Sequence, residues 1–476
     1  MEILKKMRAC GMLCLSVIIL TACSSFSPVS IGMEDGTVSE TVVGTSGKES
    51  VVFRIGTASQ WLLKQISEYN QQSEDFKIIL DMCDLKDDIS VFRERTSIEL
   101  STGKGADIYE TYAFTNLDAT PCIEKGCFAD MTEYLNGKSE ILSRLIELHR
   151  TEKGIYAVPV SFTIDTMYTN QKIPCDQKEW NYGAAFRLAN ASGAEYLCQK
   201  PFGWTDKDTG MAALSIFGGG NGQYDEFVNL ATRECNFNSP EFIRLLDFIN
   251  EHLDYTKQTE ESDVLFHAGA IQNFLSLYAH DFTGKMKNGD YYGYPTKDGG
   301  TNYLLVRTFY VNEKSEHKDG VYDFFNFLLS KEQQEKMVKE VDGEFPVRAD
   351  VLKDSWEIAK KEILIDSVPT DFNGKPLYEE RLLTEEEEAL FWEILEHSKL
   401  YAYSTMLEDI VQEEVIQYFE GKITAQDAAK VIQNRVQLYL DEKSAIGDGV
   451  FGPQMCPFRL FSISYCYFSQ DMLQSS

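Results

Sequence analysis

At 476 residues the chain exceeds what one hydrophobic core holds, since single cores stop growing at roughly 250–300 residues, so two domains or lobes are expected. Hydrophobic residues make up 43% and charged ones 25%, a globular balance. Lys plus Arg number 45 against 75 Asp plus Glu, a formal charge of −30, which argues against nucleic acid or an anionic membrane surface as a direct partner.

Lys5, Lys6 and Arg8 make a basic start, and residues 12–20 are apolar but too few to span a bilayer, which takes about 20. Residues 1–22 therefore read as a signal peptide. The "LTAC" stretch resembles a bacterial lipobox, which implies cleavage before Cys23 and a diacylglycerol on its sulfur. Residues 24–50 are rich in Ser, Gly, Thr and Val without helical or strand period, so 23–50 reads as a lipid-anchored flexible tether. Of the 11 cysteines, Cys10 and Cys14 leave with the signal and Cys23 carries lipid. Cys122 and Cys127 are spaced to close a small disulfide loop, with free buried thiols at least as good a reading; no CxxC or paired metal-ligand spacing occurs.

The folded body is expected from Val51. "VVFRIGT" has strand character, and in "SQWLLKQISEYNQQ" the apolar Trp61, Leu62, Ile66 and Tyr69 recur at helical spacing. "FKIILDM" is a second strand, "VFRERTSIEL" a second helix, and "ADIYETY", behind Gly103 and Gly105, a third strand. Such alternation implies parallel pairing with right-handed crossovers, and ligands in these sheets sit outside the carboxyl ends of the strands. Residues 57–60, Ser59 among them, and 112–116 therefore face the expected site.

"GIYAVPVSFTIDTMYTN" (154–170) is extended with Pro159 inside it, a natural crossing between two sheets because proline lacks the ladder donor. Ser239 and Pro240 mark a helix start by N-cap and first-turn proline. Later helices are expected over 321–329, 331–339, 385–400, 407–419 and 425–439, with Thr384 and Glu387 as a capping box on the third. Residues 444–476 depart in composition and read as an atypical tail, a disordered extension or an added edge strand.

Several phrases, in order, are similar to the family-1 extracellular solute-binding lipoproteins of bacterial ABC importers, the carbohydrate-type class. They include "STGKGADIYE", "CIEKGCFADMTEYL", "KGIYAVPVSF", "ECNFNSPEFIRLLDF", "LLSKEQQEKM", "DGEFPVRADVL" and "YFEGKITAQDAAKVIQNRVQLYLDE". The resemblance implies an α/β, two-lobe, type II periplasmic-binding-protein-like fold whose interlobe cleft closes on the ligand across hinge crossings. The first lobe would comprise residues 51–158 and 296–339, the second 159–295 and 340–443. It further implies a small solute, of sugar or oligosaccharide type, ABC permease subunits as partners, and a monomer held at the outer face of the cytoplasmic membrane.

A polyhydroxylated solute needs flat apolar faces for its C–H surfaces and carboxylates or amides for its hydroxyls, and aromatics reach 12% here. The family places binding groups a few residues past its "DI" strand, where Tyr112 and Phe114 fall, and the crossing offers Phe162, Thr163 and Asp165. Trp204 precedes a helix start; Tyr278 follows "AGAIQNF", a region that lines the cleft in relatives. Tyr401 and Tyr403 stand where relatives present an aromatic platform, although Glu408 occupies about the place of an expected aromatic. For each aromatic, core packing competes with cleft exposure, most strongly for the phenylalanines.

No GxSxG, HExxH, Walker A or dinucleotide glycine pattern occurs in its proper context, so no catalytic residue, metal or cofactor is expected. The rival readings are a surface lipoprotein carbohydrate hydrolase and a ligand-sensing lipoprotein on the same fold.

Overall fold

The computed structural model describes residues 47–56, 59–82, 89–110, 119–169, 177–192, 196–198, 210–211, 213–214, 217–218, 224–229, 232–251, 264–278, 293–365, 381–401 and 405–445. The expected signal peptide, Cys23, the tether as far as residue 46 and the tail from residue 446, along with Tyr112, Phe114, Trp204 and Tyr403, lie outside these residues; Glu49 and Ser50, read as tether, already belong to the first strand, and residues 444 and 445, read as tail, to the last helix.

The first strand, β1 (Glu49–Ile55), is followed by helix α1 (Gln60–Gln72), strand β2 (Phe76–Met82), helix α2 (Ile89–Thr102) and strand β3 (Ile108–Glu110). β1 pairs in parallel with both β2 and β3, as the alternation demands. Trp61, Leu62, Ile66 and Tyr69 form the buried stripe of α1 against Val51, Phe53 and Ile55. The long strand β4 (Ala157–Thr169), β5 (Tyr196–Cys198), β6 (Val264–Ile271) and β7 (Tyr303–Val311) complete a path ordered β2-β1-β3-β7-β4-β6-β5. Two short strands hang on it: β8 (Phe345–Pro346) on β4 and β9 (Lys399–Leu400) on β7. Every residue of β7 is buried, as expected for a central strand covered on both faces.

Two separate apolar cores flank this shared sheet. Val51, Phe53, Ile108, Phe324 and Phe325 belong to the first; Trp180, Phe217, Phe242, Phe266, Val411 and Ile432 belong to the second. Strands β4 and β7 run antiparallel from one to the other. Val158, Val160, Phe162 and Ile164 of β4 serve the first core and Met167 the second; on β7, Leu304 serves the first and Tyr303 the second.

The passage between cores therefore falls near residues 165–166 and 303, whereas the sequence suggests Pro159. The missing donor at Pro159 is absorbed differently: the β4–β7 register shifts between Arg307 and Thr308, beside the Pro159–Thr308 pair, so a bulge takes up the irregularity and the strand continues. The expected second-lobe segment 340–443 also divides. Helices α9 (Ala349–Ala359) and α10 (Glu385–His397) bury Val351, Trp356, Phe391 and Ile394 in the first core, because β8 fastens the preceding chain to β4. Helices α11 (Thr405–Phe419) and α12 (Ala425–Ala445) pack in the second core.

The local signals at helix starts hold. Ser239 accepts from Phe242 N at the start of α5 (Pro240–Glu251), and Thr384 and Glu387 form the capping box of α10. Cys122 and Cys127 are both thiols in this structure. Among the described residues no helix is long and apolar enough to cross a membrane.

Candidate functional site

The parallel strands β1 and β3 end at Ile55 and Glu110, and what gathers beyond those ends is the candidate site of the first lobe. Arg307, from the middle of β7, is its hub. Its guanidinium is 4% exposed and bonds Glu110 on β3 through Nη1 and Glu344 through Nη2 at 2.8 Å. Ser161, opposite Arg307 across the sheet, also donates to Glu344, and the Trp61 ring stands 5.7 Å from the guanidinium. Two carboxylates around one cation leave negative charge in a dry place. Burial pushes the Glu110 carboxyl up to about 7, with Arg307 opposing and Glu344 reinforcing the shift.

The stretch 340–346 ties this hub to its surroundings. Asp342 Oδ2 accepts from the backbone N–H of Gln60 (2.6 Å) and Trp61 (3.4 Å), so a carboxylate from far along the chain satisfies the N-terminus of α1. Ser59, the N-cap residue, is thereby released from capping: it is extended (φ −67°, ψ 155°) and its buried hydroxyl has no partner among the described residues. Asn273, just before helix α6 (Phe274–Tyr278), donates to the carbonyls of Val341 and Gly343, each at 2.9 Å.

Along β4 the side chains alternate, so Ser161, Thr163 and Asp165 share one face and Phe162 and Ile164 the other. Directly opposed residues share a face too, which sets Arg307 with Ser161 and Tyr303 with Asp165. The result is a polar band running from the Arg307 hub towards the second core. The Thr163 hydroxyl is buried with no partner among the described residues, as is the indole N–H of Trp61. Asp165 accepts from the Tyr294 hydroxyl at 2.8 Å, and the Tyr303 hydroxyl donates to Asp225 at 2.9 Å. Tyr401 meets the Tyr303 ring edge-on, with centroids 6.3 Å apart, and its backbone N–H donates to Leu304 O at 2.9 Å. Burial and the neighbouring Asp225 hold the Tyr303 hydroxyl far above the ordinary tyrosine range, so it remains a donor.

Of the residues expected from sequence, Ser59, Thr163, Asp165 and Tyr401 lie on or beside this band. Phe162 does not: it is fully buried, 5.5 Å from the Phe345 ring and 6.5 Å from that of Phe391, because strand alternation turns it away from Thr163 into the first core. Tyr278 closes helix α6. Sequence reasoning missed Arg307, Glu110, Glu344, Asp342 and Asn273. A lone charge inside "YLLVRTFYV" was the available signal for Arg307, since an arginine in a fully apolar strand must be paired or stacked. Among the described residues no group of three or more His, Cys, Asp or Glu is arranged to hold a metal.

Two α/β bodies sharing strands, with polar groups collected at strand ends and along the shared face, define the class of two-lobed solute-binding proteins. The chain belongs to the bacterial extracellular solute-binding protein family, whose model matches residues 66–364. Its fold is similar to an ABC substrate-binding protein from Listeria monocytogenes solved with cycloalternan (TM-score 0.53, 15% identity, covering 83% of this chain and 99% of that one). It is also similar to a solute-binding protein from Thermotoga lettingae bound with α-D-tagatose (TM-score 0.53, 15% identity, 83% and 100%). A third likeness is to the cyclic α-maltosyl-1,6-maltose binding protein from Arthrobacter globiformis (TM-score 0.52, 15% identity, 83% and 100%). Among curated proteins no sequence relative matches.

Proposed function

We propose that this protein is a receptor that captures a neutral sugar or oligosaccharide between its two lobes and hands it, unaltered, to the permease of an ABC importer. The observation that carries the reading is the band itself. Thr163, Trp61 and Ser59 keep buried polar groups unpartnered, at a cost of about 1–3 kcal/mol each, and solute hydroxyls are the partners that would relieve it. Solved proteins of the same fold bind carbohydrates, which supports the substrate class.

Charge narrows the choice. Glu110, Glu344 and Asp342 on the first lobe, with Asp165 and Asp225 on the second, outweigh Arg307 and Lys399, so an anionic solute such as a uronate is disfavoured by repulsion in a low-dielectric place. Tyr112, Phe114, Trp204, Tyr278, Tyr401 and Tyr403 would supply the flat faces for the sugar rings. Closure follows from contacts that both lobes make with one ligand, and the β4 and β7 passage is its hinge.

The anchor belongs to the same reading. Lys5, Lys6, Arg8, the apolar run and "LTAC" support lipidation at Cys23 and a monomer tethered at the outer face of the cytoplasmic membrane. A hydrolase would need a carboxylate pair open to substrate and water. Glu110 has the raised pKa of an acid catalyst, but it is buried and paired with Arg307, so its role is structural.

A thermal-shift screen tests the substrate class, because a ligand bound only by the native state raises the melting midpoint by mass action. Neutral oligosaccharides are expected to raise it, by an amount that grows with concentration. A shift with peptides or uronates and none with neutral sugars would overturn the proposal.

A further inference from the structure

Helix α3 (Ala119–Glu124) ends in a Schellman cap. Gly126 takes the left-handed conformation (φ +67°), its N–H donates to Ile123 O at 3.0 Å, and Cys127 N–H donates to Cys122 O at 2.8 Å. This pair of bonds brings the side chain three residues past Glu124 against one in the last turn, a contact that apolar residues often fill. Here the two positions are Cys127 and Cys122, so the cap sets the two thiols on the same side of the helix end.

The backbone around them is held from both sides. Glu313 N–H donates to Cys127 O at 2.9 Å, Ala129 N–H to Val311 O at 2.9 Å, and Phe128 bridges to Asn312. Cys122 is buried in a small cluster with Phe128 and Tyr310, while Cys127 is only partly covered. The family is extracellular, and outside the cytoplasm disulfides form and persist.

We infer that Cys122 and Cys127 are a disulfide-forming pair, closed by exchange with a disulfide oxidant outside the cytoplasm. Cys127, the more accessible, loses its proton and attacks one sulfur of the oxidant, forming a mixed disulfide and expelling one thiol. Cys122 then attacks the Cys127 sulfur, and the second oxidant sulfur leaves as a thiol. The two cysteine sulfurs each lose one electron, the oxidant disulfide gains both, and the two protons end on the released thiols. Burial holds the Cys127 thiol above its ordinary value, with Lys125 and Lys314 opposing, so the exchange runs faster in alkaline buffer. The bond fixes the end of α3, which begins directly after the stretch that carries Tyr112 and Phe114.

The test uses the folded full-length chain, incubated with oxidised glutathione at mildly alkaline pH, blocked with iodoacetamide and digested with trypsin without reductant. Cleavage after Lys125 separates the two cysteines onto peptides 105–125 and 126–138. The expected dominant product is these two peptides joined, two hydrogens lighter than their reduced sum and split by reductant. Recovery of both peptides singly alkylated, or of either joined to another cysteine peptide, overturns the inference. The C122S chain is expected to retain glutathione on Cys127, because the resolving thiol is gone; a Cys127 that stays fully alkylatable in that variant contradicts the proposed order of attack.

Discussion

Arg307 owes its place to register. Its neighbours in sequence are apolar, and only the pairing of β7 with β3 and β4 sets it against Glu110 and Ser161. Replacing it with methionine leaves two buried carboxylates facing each other, a loss of about 3–5 kcal/mol expected from denaturant unfolding, and a second change of Glu110→Gln should recover part of it. Glu110 also predicts a pH dependence. Its folded pKa of about 7 lies above the ordinary carboxylate value, so the folded state holds a proton that the unfolded state has released. That contribution to stability is fully present below the ordinary carboxylate pKa and is lost as pH rises towards about 7. Unfolding of the Glu110→Gln chain followed against pH should lack this decline; an unchanged slope would place the proton elsewhere. Thr163→Val is the sharper probe of the site. Removing an unpartnered buried hydroxyl should raise the stability of the ligand-free chain by about 1–3 kcal/mol while weakening solute binding by roughly five- to ten-fold in a titration.

At the scale of the element, α1 shows how the fold frees a side chain for work. Ser59 has the position and conformation of an N-cap, yet Asp342 takes the N–H groups. Asp342→Ala should cost about 1 kcal/mol of stability, measured by thermal or denaturant unfolding, as a lost cap does; no change would mean that Ser59 turns back to cap the helix. Elements whose signals are local were legible in the sequence. The apolar stripe of α1, the Ser239 and Thr384 caps and the alternation that makes β1, β2 and β3 parallel each depend on a few neighbouring residues. The hub was not legible, because the Glu110–Arg307 pair joins residues 197 positions apart in the chain and the contact of Asp342 with Gln60 residues 282 apart. The burial of Phe162 was not legible for a related reason. A strand of mixed composition leaves open which alternating set faces the core, and distant partners settle it here, with the Phe162 ring beside those of Phe345 and Phe391.

For the whole molecule, one sheet serves two cores, and that economy sets where motion is possible. Most of β4 and β7 belongs to the first core, and core membership changes near Asp165 and Tyr303, where the proposed closure would bend the chain. Hydrophobic periodicity marks that a segment is buried without naming the core that buries it, so helices α9 and α10 were legible as helices while their place in the first core was not. Calorimetric titration of a neutral oligosaccharide into the purified chain tests the central claim most directly, because heat reports both capture and chemistry. The expected trace saturates at one solute per chain and returns to baseline after each injection. Heat that continues after saturation, as in turnover, or saturable binding of peptides with none of sugars, would contradict it.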